Sequence, residues 1–243
     1  MKILGVIPSR YDSSRFPGKP LVNIQGKTMI RRVYERACES QLLDRLIVAT
    51  DDQRIFNEIA KSGGTAMMTS ADHTNGTERC AEVSESLPEY DYIINIQGDE
   101  PYIHPDQIDI VARLLDGETE LATLVKKIND PKVLDDPTEM KVIFNRNHEA
   151  IYFSRSCIPY LREVSPEERL SNHDFYKHIG IYGYRKDILK EITKLPHSPL
   201  EEAEKLEQLR WLENGYTIKL GFTILESQMI DTPEDLMKLS SHL

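Results

Sequence analysis

The sequence predicts an α/β domain with a mostly parallel central sheet and helices on both of its faces. Three observations carry that expectation. From Ile3 to Ile96, short apolar runs alternate with segments of helical period. The runs are nearly continuous rather than alternating, as in strands buried on both sides of a parallel sheet. A length of 243 residues suits one such domain with an elaboration.

The first strand is Lys2 to Pro8, and a polar loop from Ser9 to Leu21 follows it. Thr28 to Ser40 places Ile30, Val33 and Ala37 at helical spacing. Leu46 to Ala49 is a second strand, and Ile55 to Ser62 a helix stopped by Gly63-Gly64. Thr65 to Thr69 and Tyr92 to Ile96 complete a βαβαβ rhythm. From about residue 117 that rhythm changes. Leu121 to Ile128, Glu139 to Asn145 and Ala150 to Ser154 read as strands with no long helix between them. A polar segment, Glu163 to Asp174, precedes another strand through His178 to Tyr182. This β-rich middle, within about 120–190, reads as an insertion in the sheet or an extension of it, and is a candidate for dimerisation. No repeat or flexible linker sets it apart, so 1–243 reads as a single domain. Ser198-Pro199-Leu200-Glu201 combines a cap, a proline at the first helical position and a glutamate at the third. After a strand from Tyr216 to Leu225, Thr232-Pro233-Glu234-Asp235 repeats that logic.

Composition excludes several classes. Forty acidic against 30 basic residues, a formal charge of −10, argue against broad nucleic-acid binding. Cys38, Cys80 and Cys157 are isolated and lack metal-ligand spacing, which points to free thiols in a reducing compartment. The opening apolar run is too short for a signal peptide, and no stretch approaches the roughly 18 apolar residues of a membrane span. The expectation is a cytoplasmic protein with no nucleic-acid or membrane partner. Neither G-x-G-x-x-G after the first strand nor G-x-x-x-x-G-K-[ST] occurs, so dinucleotide redox and P-loop chemistry lose ground.

Candidate chemistry gathers where strands end. The Ser9 to Leu21 loop carries Arg10, Arg15 and Lys19 with three serines and a glycine, at the carboxyl end of a strand where open α/β sheets bind ligands. Three cations in an acidic protein ask for an anionic partner, and a polyphosphate fits. Asp12 is the acid among them. Asn95 to Pro101 brings Asp99 to the same sheet edge. Asp99 reads either as a solvated turn acid or as a ligand of a divalent metal between carboxylate and phosphate. Asp231 reads equally as a second metal carboxylate or as an acid favoured at a helix start. His73 to Arg79 reads as an Asn-Gly turn with a threonine cap, or as a helix start that receives a base or ribose.

Together these segments resemble 3-deoxy-D-manno-octulosonate (Kdo) cytidylyltransferases. The resemblance rests on Ser9-Arg10-Tyr11, Ser14-Arg15-Phe16-Pro17-Gly18-Lys19-Pro20-Leu21, Gln97-Gly98-Asp99-Glu100-Pro101, Tyr152-Phe153-Ser154-Arg155 and Ile158-Pro159-Tyr160. It continues through His178-Ile179-Gly180-Ile181-Tyr182, Glu204 to Arg210 and Asp231 to Leu236, in family order over residues 3 to 236. The resemblance implies a Rossmann-like nucleotidyltransferase fold, usually a homodimer joined through its middle segment. It implies an Mg²⁺-dependent transfer of CMP from CTP to Kdo, for lipopolysaccharide synthesis. By the same analogy Arg10 and Lys19 bind the triphosphate with Arg15 assisting, and Asp99 and Asp231 hold the metal. Pro8, Asn75, Gly76 and Arg79 lie near the cytidine. Gln97, Arg155, His178, Tyr182, Glu207 and Gln208 face the sugar acid.

Read as residues alone, several of these have plainer roles. His178 in an apolar run suits a core histidine, although Tyr182 four residues on shares its strand face. Arg155 suits an acid across a dimer interface. Glu207 and Gln208, adjacent on a helix, suit a solvated face over Ala203, Leu206 and Leu209. Two departures bear on the substrate. Many members have Ser-Gly-Thr-Asp-Arg where this chain has Asn75-Gly76-Thr77-Glu78-Arg79, and Asp12 replaces a small residue. An added carboxylate would suit the 8-amino-3,8-dideoxy analogue of Kdo. Sialic-acid cytidylyltransferases, hexose-1-phosphate nucleotidyltransferases and non-catalytic sugar-nucleotide sensors are the rival readings.

Overall fold

The computed structural model describes residues 1–12, 16–226 and 229–240, so Arg15 lies outside the described residues. In chain order the first half comprises β1 (Ile3–Ser9), the short strands β2 (Asn23–Ile24) and β3 (Lys27–Thr28), α1 (Met29–Ala37), β4 (Arg45–Thr50), α2 (Gln53–Lys61), β5 (Ala66–Met68), α3 (Gly76–Ser86), β6 (Tyr92–Asn95) and α4 (Pro105–Leu114). There follow β7 (Leu121–Lys127), α5 (Pro131–Asp135), β8 (Lys141–Phe144), β9 (Ala150–Ser154), α6 (Arg169–Asn172) and β10 (Tyr176–Arg185). Helices α7 (Lys186–Ile192), α8 (Pro199–Glu204) and α9 (Glu207–Glu213), strand β11 (Ile218–Thr223) and α10 (Pro233–Ser240) close the chain.

The main sheet runs β11-β7-β10-β6-β1-β4-β5, with β8 and β9 hung from β10. Strands β6, β1, β4 and β5 are parallel, as their apolar runs predict. β10 is antiparallel to both its neighbours, β6 and β7. The middle segment is therefore not a separate insertion: β7 and β10 are strands of the main sheet, and only β8 and β9 extend beyond it.

Strand residues alternate between two cores. Leu4, Val6, Ile47, Ala49 and Ile93 pack with α3, α7 and α9, whereas Ile3, Ile7, Leu46, Val48, Ile94 and Ile96 pack with α1, α2 and α4. Both faces are thus covered, which is why the strands carry so few polar residues.

The topology locates the site. From β1 the chain moves outward through β4 to β5, then returns across β1 to lay down β6 on its other side. The carboxyl ends of β1 and β6 therefore flank a switch in winding direction, where the outgoing loops diverge and leave a crevice.

Candidate active site

A cleft occupies that switch point. Pro8, Ser9 and Arg10 line it from the end of β1, Gln97, Gly98 and Asp99 from the end of β6, and His73 to Gly76 with Arg79 from the start of α3. Lys19, Pro20 and Asp231 complete it. Of the residues singled out in the sequence, Pro8, Arg10, Lys19, Asn75, Gly76, Arg79, Gln97, Asp99 and Asp231 all line the cleft.

At its centre one ammonium joins two carboxylates. Lys19 Nζ donates to Asp99 Oδ2 at 2.8 Å and to Asp231 Oδ1 at 3.1 Å. These three residues span 212 positions of sequence, and local structure brings each one in. Lys19 opens a single 3₁₀ turn after Gly18, whose φ of 73° belongs to the left-handed region that glycine favours. Asp99 follows β6. Asp231 is delivered by the backbone: the buried Ile230 donates its N–H to the Asp99 carbonyl at 3.0 Å. Thr232 caps α10, its Oγ1 accepting from the Asp235 N–H at 3.3 Å, and Asp235 Oδ2 reaches back to accept from the N–H of Asp231 at 3.1 Å and of Thr232 at 3.0 Å. Asp231 is thereby relieved of capping, and its carboxylate faces Lys19.

The acid pair suits a divalent cation. Asp99 Oδ1 is buried and accepts no hydrogen bond among the described residues. Mg²⁺ is commonly held by one or two carboxylates together with substrate phosphates, and two converging carboxylates in a cleft with Arg10 match that donor set.

Gly98 sits where β1 and β6 come closest. A Cβ there would lie 2.8 Å from the Pro8 carbonyl oxygen, a backbone atom that cannot swing aside. Gly98→Ala is expected to push the strand ends apart, cost about 1–3 kcal/mol and depress turnover. A variant with wild-type melting temperature and activity would show that the approach is not constrained.

The α3 start is an asparagine cap, not the threonine cap anticipated. Asn75 Oδ1 accepts from the Glu78 N–H at 2.8 Å, and Glu78 reaches back to the Thr74 N–H at 2.7 Å. The longer glutamate is consumed by this reciprocal capping, and Glu78 does not line the cleft. Gly76 keeps Pro8 close, since a Cβ would meet Pro8 Cγ at 3.0 Å. Arg79 is 3 % exposed and bound internally, to Thr69 Oγ1 and to Asp51 Oδ2 at 3.0 Å, so it braces the β5–α3 connection. Asp12 is likewise absent from the cleft lining. Arg54 lies 3.3 Å from the centroid of the Tyr11 ring. Its guanidinium is held charged chiefly by Asp52, with Asp12 adding to that field from the loop.

The remaining residues fall on the sugar-acid side of the analogy. Gln97 Nε2 donates to the Gly180 carbonyl at 2.8 Å and so ties the cleft to β10. Gly180 lies in an irregularity where Ile179 faces Leu124 and Tyr182 faces Thr123, two extra residues on β10 that preserve its parity. His178 and Tyr182 therefore share a face as expected, with ring centroids 5.2 Å apart.

His178 is a buried histidine with an unspent acceptor. Thr123 Oγ1 donates to the Ile181 carbonyl at 2.7 Å and lies 3.0 Å from His178 Nε2, which makes Nε2–H the donor to Thr123. Nδ1 then carries a bare lone pair, buried and without a partner among the described residues, as is the Tyr182 hydroxyl. Burial drives the imidazole pKa from 6.5 down to about 3. The ring is neutral in the folded protein, whereas the unfolded chain takes up a proton below about pH 6.5. Stability is thus fully present above that pH and falls as pH drops toward 3. Between pH 7 and 5, denaturant unfolding is expected to lose about 2 kcal/mol through this group. His178→Gln should remove that part of the slope, and an unchanged slope would refute the assignment.

One expectation needs correction. Glu207 and Gln208 do not lie on a solvated helix face, because the helix breaks: α8 ends at Glu204, Lys205 adopts φ 54°, and α9 begins at Glu207. The break turns Glu207 inward, where Oε2 accepts from Thr77 Oγ1 at 2.8 Å and Oε1 from Arg210 Nη2 at 2.9 Å. Burial raises its carboxyl pKa against the pull of Thr77 and Arg210. Gln208 is 6 % exposed. Within the chain Arg155 meets backbone, donating to the carbonyls of Glu204 at 2.7 Å, Pro137 at 3.0 Å and Lys205 at 3.5 Å. It caps the carboxyl end of α8. Arg155, His178, Tyr182, Glu207 and Gln208 do not line the cleft itself.

Sequence reasoning missed Ser9 and Asn95. Both are buried polar residues ending strands at the switch point, and Ser9 Oγ and Asn95 Oδ1 have no partner among the described residues. A polar residue closing an apolar run at a ligand-binding sheet edge was the available signal.

A basic loop facing an acid pair across the switch point of a doubly covered sheet is the arrangement a nucleotidyltransferase needs. The family model for cytidylyltransferases matches residues 4–220, and the chain belongs to that family. It is 53 % identical over its whole length to the 3-deoxy-manno-octulosonate cytidylyltransferase of Parabacteroides distasonis, covering 98 % of that protein. It is 51 % identical over 99 % of its length to the enzyme of the same name from Cytophaga hutchinsonii, covering 97 % of it. A solved structure of CMP:2-keto-3-deoxy-manno-octonic acid synthetase complexed with CTP aligns over 100 % of this chain and 98 % of that one, with a TM-score of 0.92 and 40 % identity.

Proposed function

We propose that this protein transfers CMP from CTP to the anomeric hydroxyl of Kdo, releasing pyrophosphate and forming CMP-Kdo for lipopolysaccharide synthesis. The observation that carries the reading is the Lys19–Asp99–Asp231 constellation beside Arg10, in a chain about half identical to Kdo cytidylyltransferases along its full length. The sugar hydroxyl attacks the α-phosphorus and pyrophosphate leaves in line. Negative charge spreads over the phosphate oxygens, where Arg10 and Lys19 neutralise it. Asp99 and Asp231 would hold Mg²⁺. When bound, that ion adds positive charge at the phosphates and lowers the pKa of the attacking hydroxyl.

Pro8, Asn75 and Gly76 are assigned to the cytidine, and Arg79 supports their turn from below. Gln97, His178, Tyr182, Glu207 and Gln208 are assigned to the sugar acid, where the unspent His178 Nδ1 and Tyr182 hydroxyl suit sugar hydroxyls. Arg155 supports this side by fixing the α8–α9 break. We assign the chain to one domain and a homodimer joined through the β8–β9 region, where Ile151 is 55 % exposed and Tyr160 87 % exposed. No helix among the described residues is long and apolar enough to cross a membrane. A cytoplasmic location follows from the substrates. Of the two carboxylates that would suit the 8-amino analogue, Glu78 is held by Thr74 in the α3 cap.

Pyrophosphate release measured with CTP, UTP, ATP and GTP, each against Kdo, its 8-amino analogue and sialic acid, tests the reading. Turnover confined to CTP and highest with Kdo is expected. No release with CTP and Kdo would overturn it.

A further inference from the structure

The first turns of α3 and α9 are joined through one carboxylate. Thr77, the second residue of α3, donates to Glu207 Oε2 at 2.8 Å across 130 positions of sequence. Arg210 donates to the other oxygen at 2.9 Å. Thr77 is 2 % exposed, so its hydroxyl is confined to buried partners, Glu207 and the neighbouring Tyr184 hydroxyl. Arg210 is fixed in turn, by a bond of 3.2 Å to the Leu195 carbonyl and by Glu201 Oε2 at 3.6 Å from its Nε. Both oxygens of Glu207 are therefore held by rigid donors, and its rotamer is determined from two sides. Immediately before Thr77 stand Asn75 and Gly76, which line the cleft. The turn that borders the nucleotide side and the carboxylate on the sugar-acid side thus share one hydrogen bond.

We propose that Thr77 and Arg210 are positioning residues for the sugar acid: they hold Glu207 at the place where it meets that substrate and tie its position to the α3 turn that receives the nucleotide. This rests on the CTP–Kdo reading above. Without the Thr77 hydroxyl, one oxygen of a half-buried carboxylate loses its donor and the side chain is free to rotate. A carboxylate that must be ordered during binding weakens the substrate it orients, while the nucleotide contacts of Asn75 and Gly76 are untouched.

The test is a split between the two substrates. Thr77→Val keeps the shape and removes the hydroxyl. It is expected to raise KM for Kdo by about tenfold or more while the CTP dissociation constant, measured by calorimetry without the sugar, stays within about twofold. Thr77→Ser restores the donor and should recover KM. Combining Thr77→Val with Glu207→Ala should be no worse than Glu207→Ala alone, because both changes break the same bond. Should Thr77→Val fail to fold, Arg210→Lys tests the same carboxylate from its other side and should shift KM in the same direction. Additive effects, equal losses for both substrates, or a wild-type KM for Kdo in these variants overturn the inference while the CTP–Kdo reading stands. A wild-type enzyme that releases no pyrophosphate from CTP and Kdo overturns both.

Discussion

Replacing Asp99 by alanine is expected to lower pyrophosphate release by about a hundredfold to a thousandfold with little change in stability. The two halves of that expectation come from different features of the site. Asp99 supplies one of the two carboxylates that converge on Lys19 Nζ, and its second oxygen is buried with no partner among the described residues. A buried, unspent carboxylate oxygen costs folding energy, so its presence at a substrate cleft points to a ligand that repays it. Taking the carboxylate away removes one of the two carboxylates proposed to hold Mg²⁺ and leaves Lys19 with Asp231 at 3.1 Å. The Lys19–Asp99 pair is part-buried, with side chains 13 % and 22 % exposed, but Lys19 keeps Asp231 as a partner and the unpartnered oxygen goes with the carboxylate, so the net cost stays within about 1 kcal/mol. The measurement is pyrophosphate release during an Mg²⁺ titration after chelation, alongside a melting curve. Wild-type activity should vanish on chelation and return with Mg²⁺, while the variant stays low at every Mg²⁺ concentration. Near wild-type activity in Asp99→Ala would remove Asp99 from the reaction.

Trp211→Ala should have the largest effect on stability. The indole is 1 % exposed, at the meeting of α9 with β10. Its edge packs against the rings of Tyr182 and Tyr184 at 5.2 and 5.8 Å between centroids. Truncation leaves a cavity that three rigid elements cannot close, at a cost of about 3–5 kcal/mol and roughly 10 °C or more in melting temperature. Because Trp211 Nε1 makes no hydrogen bond among the described residues, Trp211→Phe gives up area but no polar partner and should cost far less. Equal losses for the two variants would show that the indole's size is not what matters there. At temperatures where Trp211→Ala is still folded, its KM for Kdo should rise more than its KM for CTP, since Tyr182 shares the strand with His178.

Much of this architecture was legible in the sequence because parallel strands buried on both faces must be apolar throughout. Leu46 to Ala49 and Tyr92 to Ile96 have few other places to go. The late helices were legible too. A serine or threonine cap followed by proline marks a helix start by local chemistry alone, and α8 and α10 begin where that chemistry puts them. The break at Lys205 was not legible. Ala203, Leu206 and Leu209 keep helical spacing through it, and the chain turns because Arg155, 50 positions earlier, takes the Glu204 and Lys205 carbonyls. The antiparallel course of β10 was hidden as well, since an apolar strand reads the same in either direction.

The basic loop after the first strand was determined by the sequence itself: cations clustered at a strand's carboxyl end in an acidic protein call for an anion wherever the rest of the chain goes. The order of family motifs determined the reaction class in the same local way. What faces Lys19 was decided only by tertiary structure. Asp231 stands in position because a buried Ile230 hydrogen-bonds to Asp99 and because Thr232 and Asp235 together cap α10. Arg79 became a brace and Asp12 a neighbour of Arg54 for the same reason. A charged side chain settles on the partner that folding brings within about 3 Å of it, and that partner is usually distant in sequence.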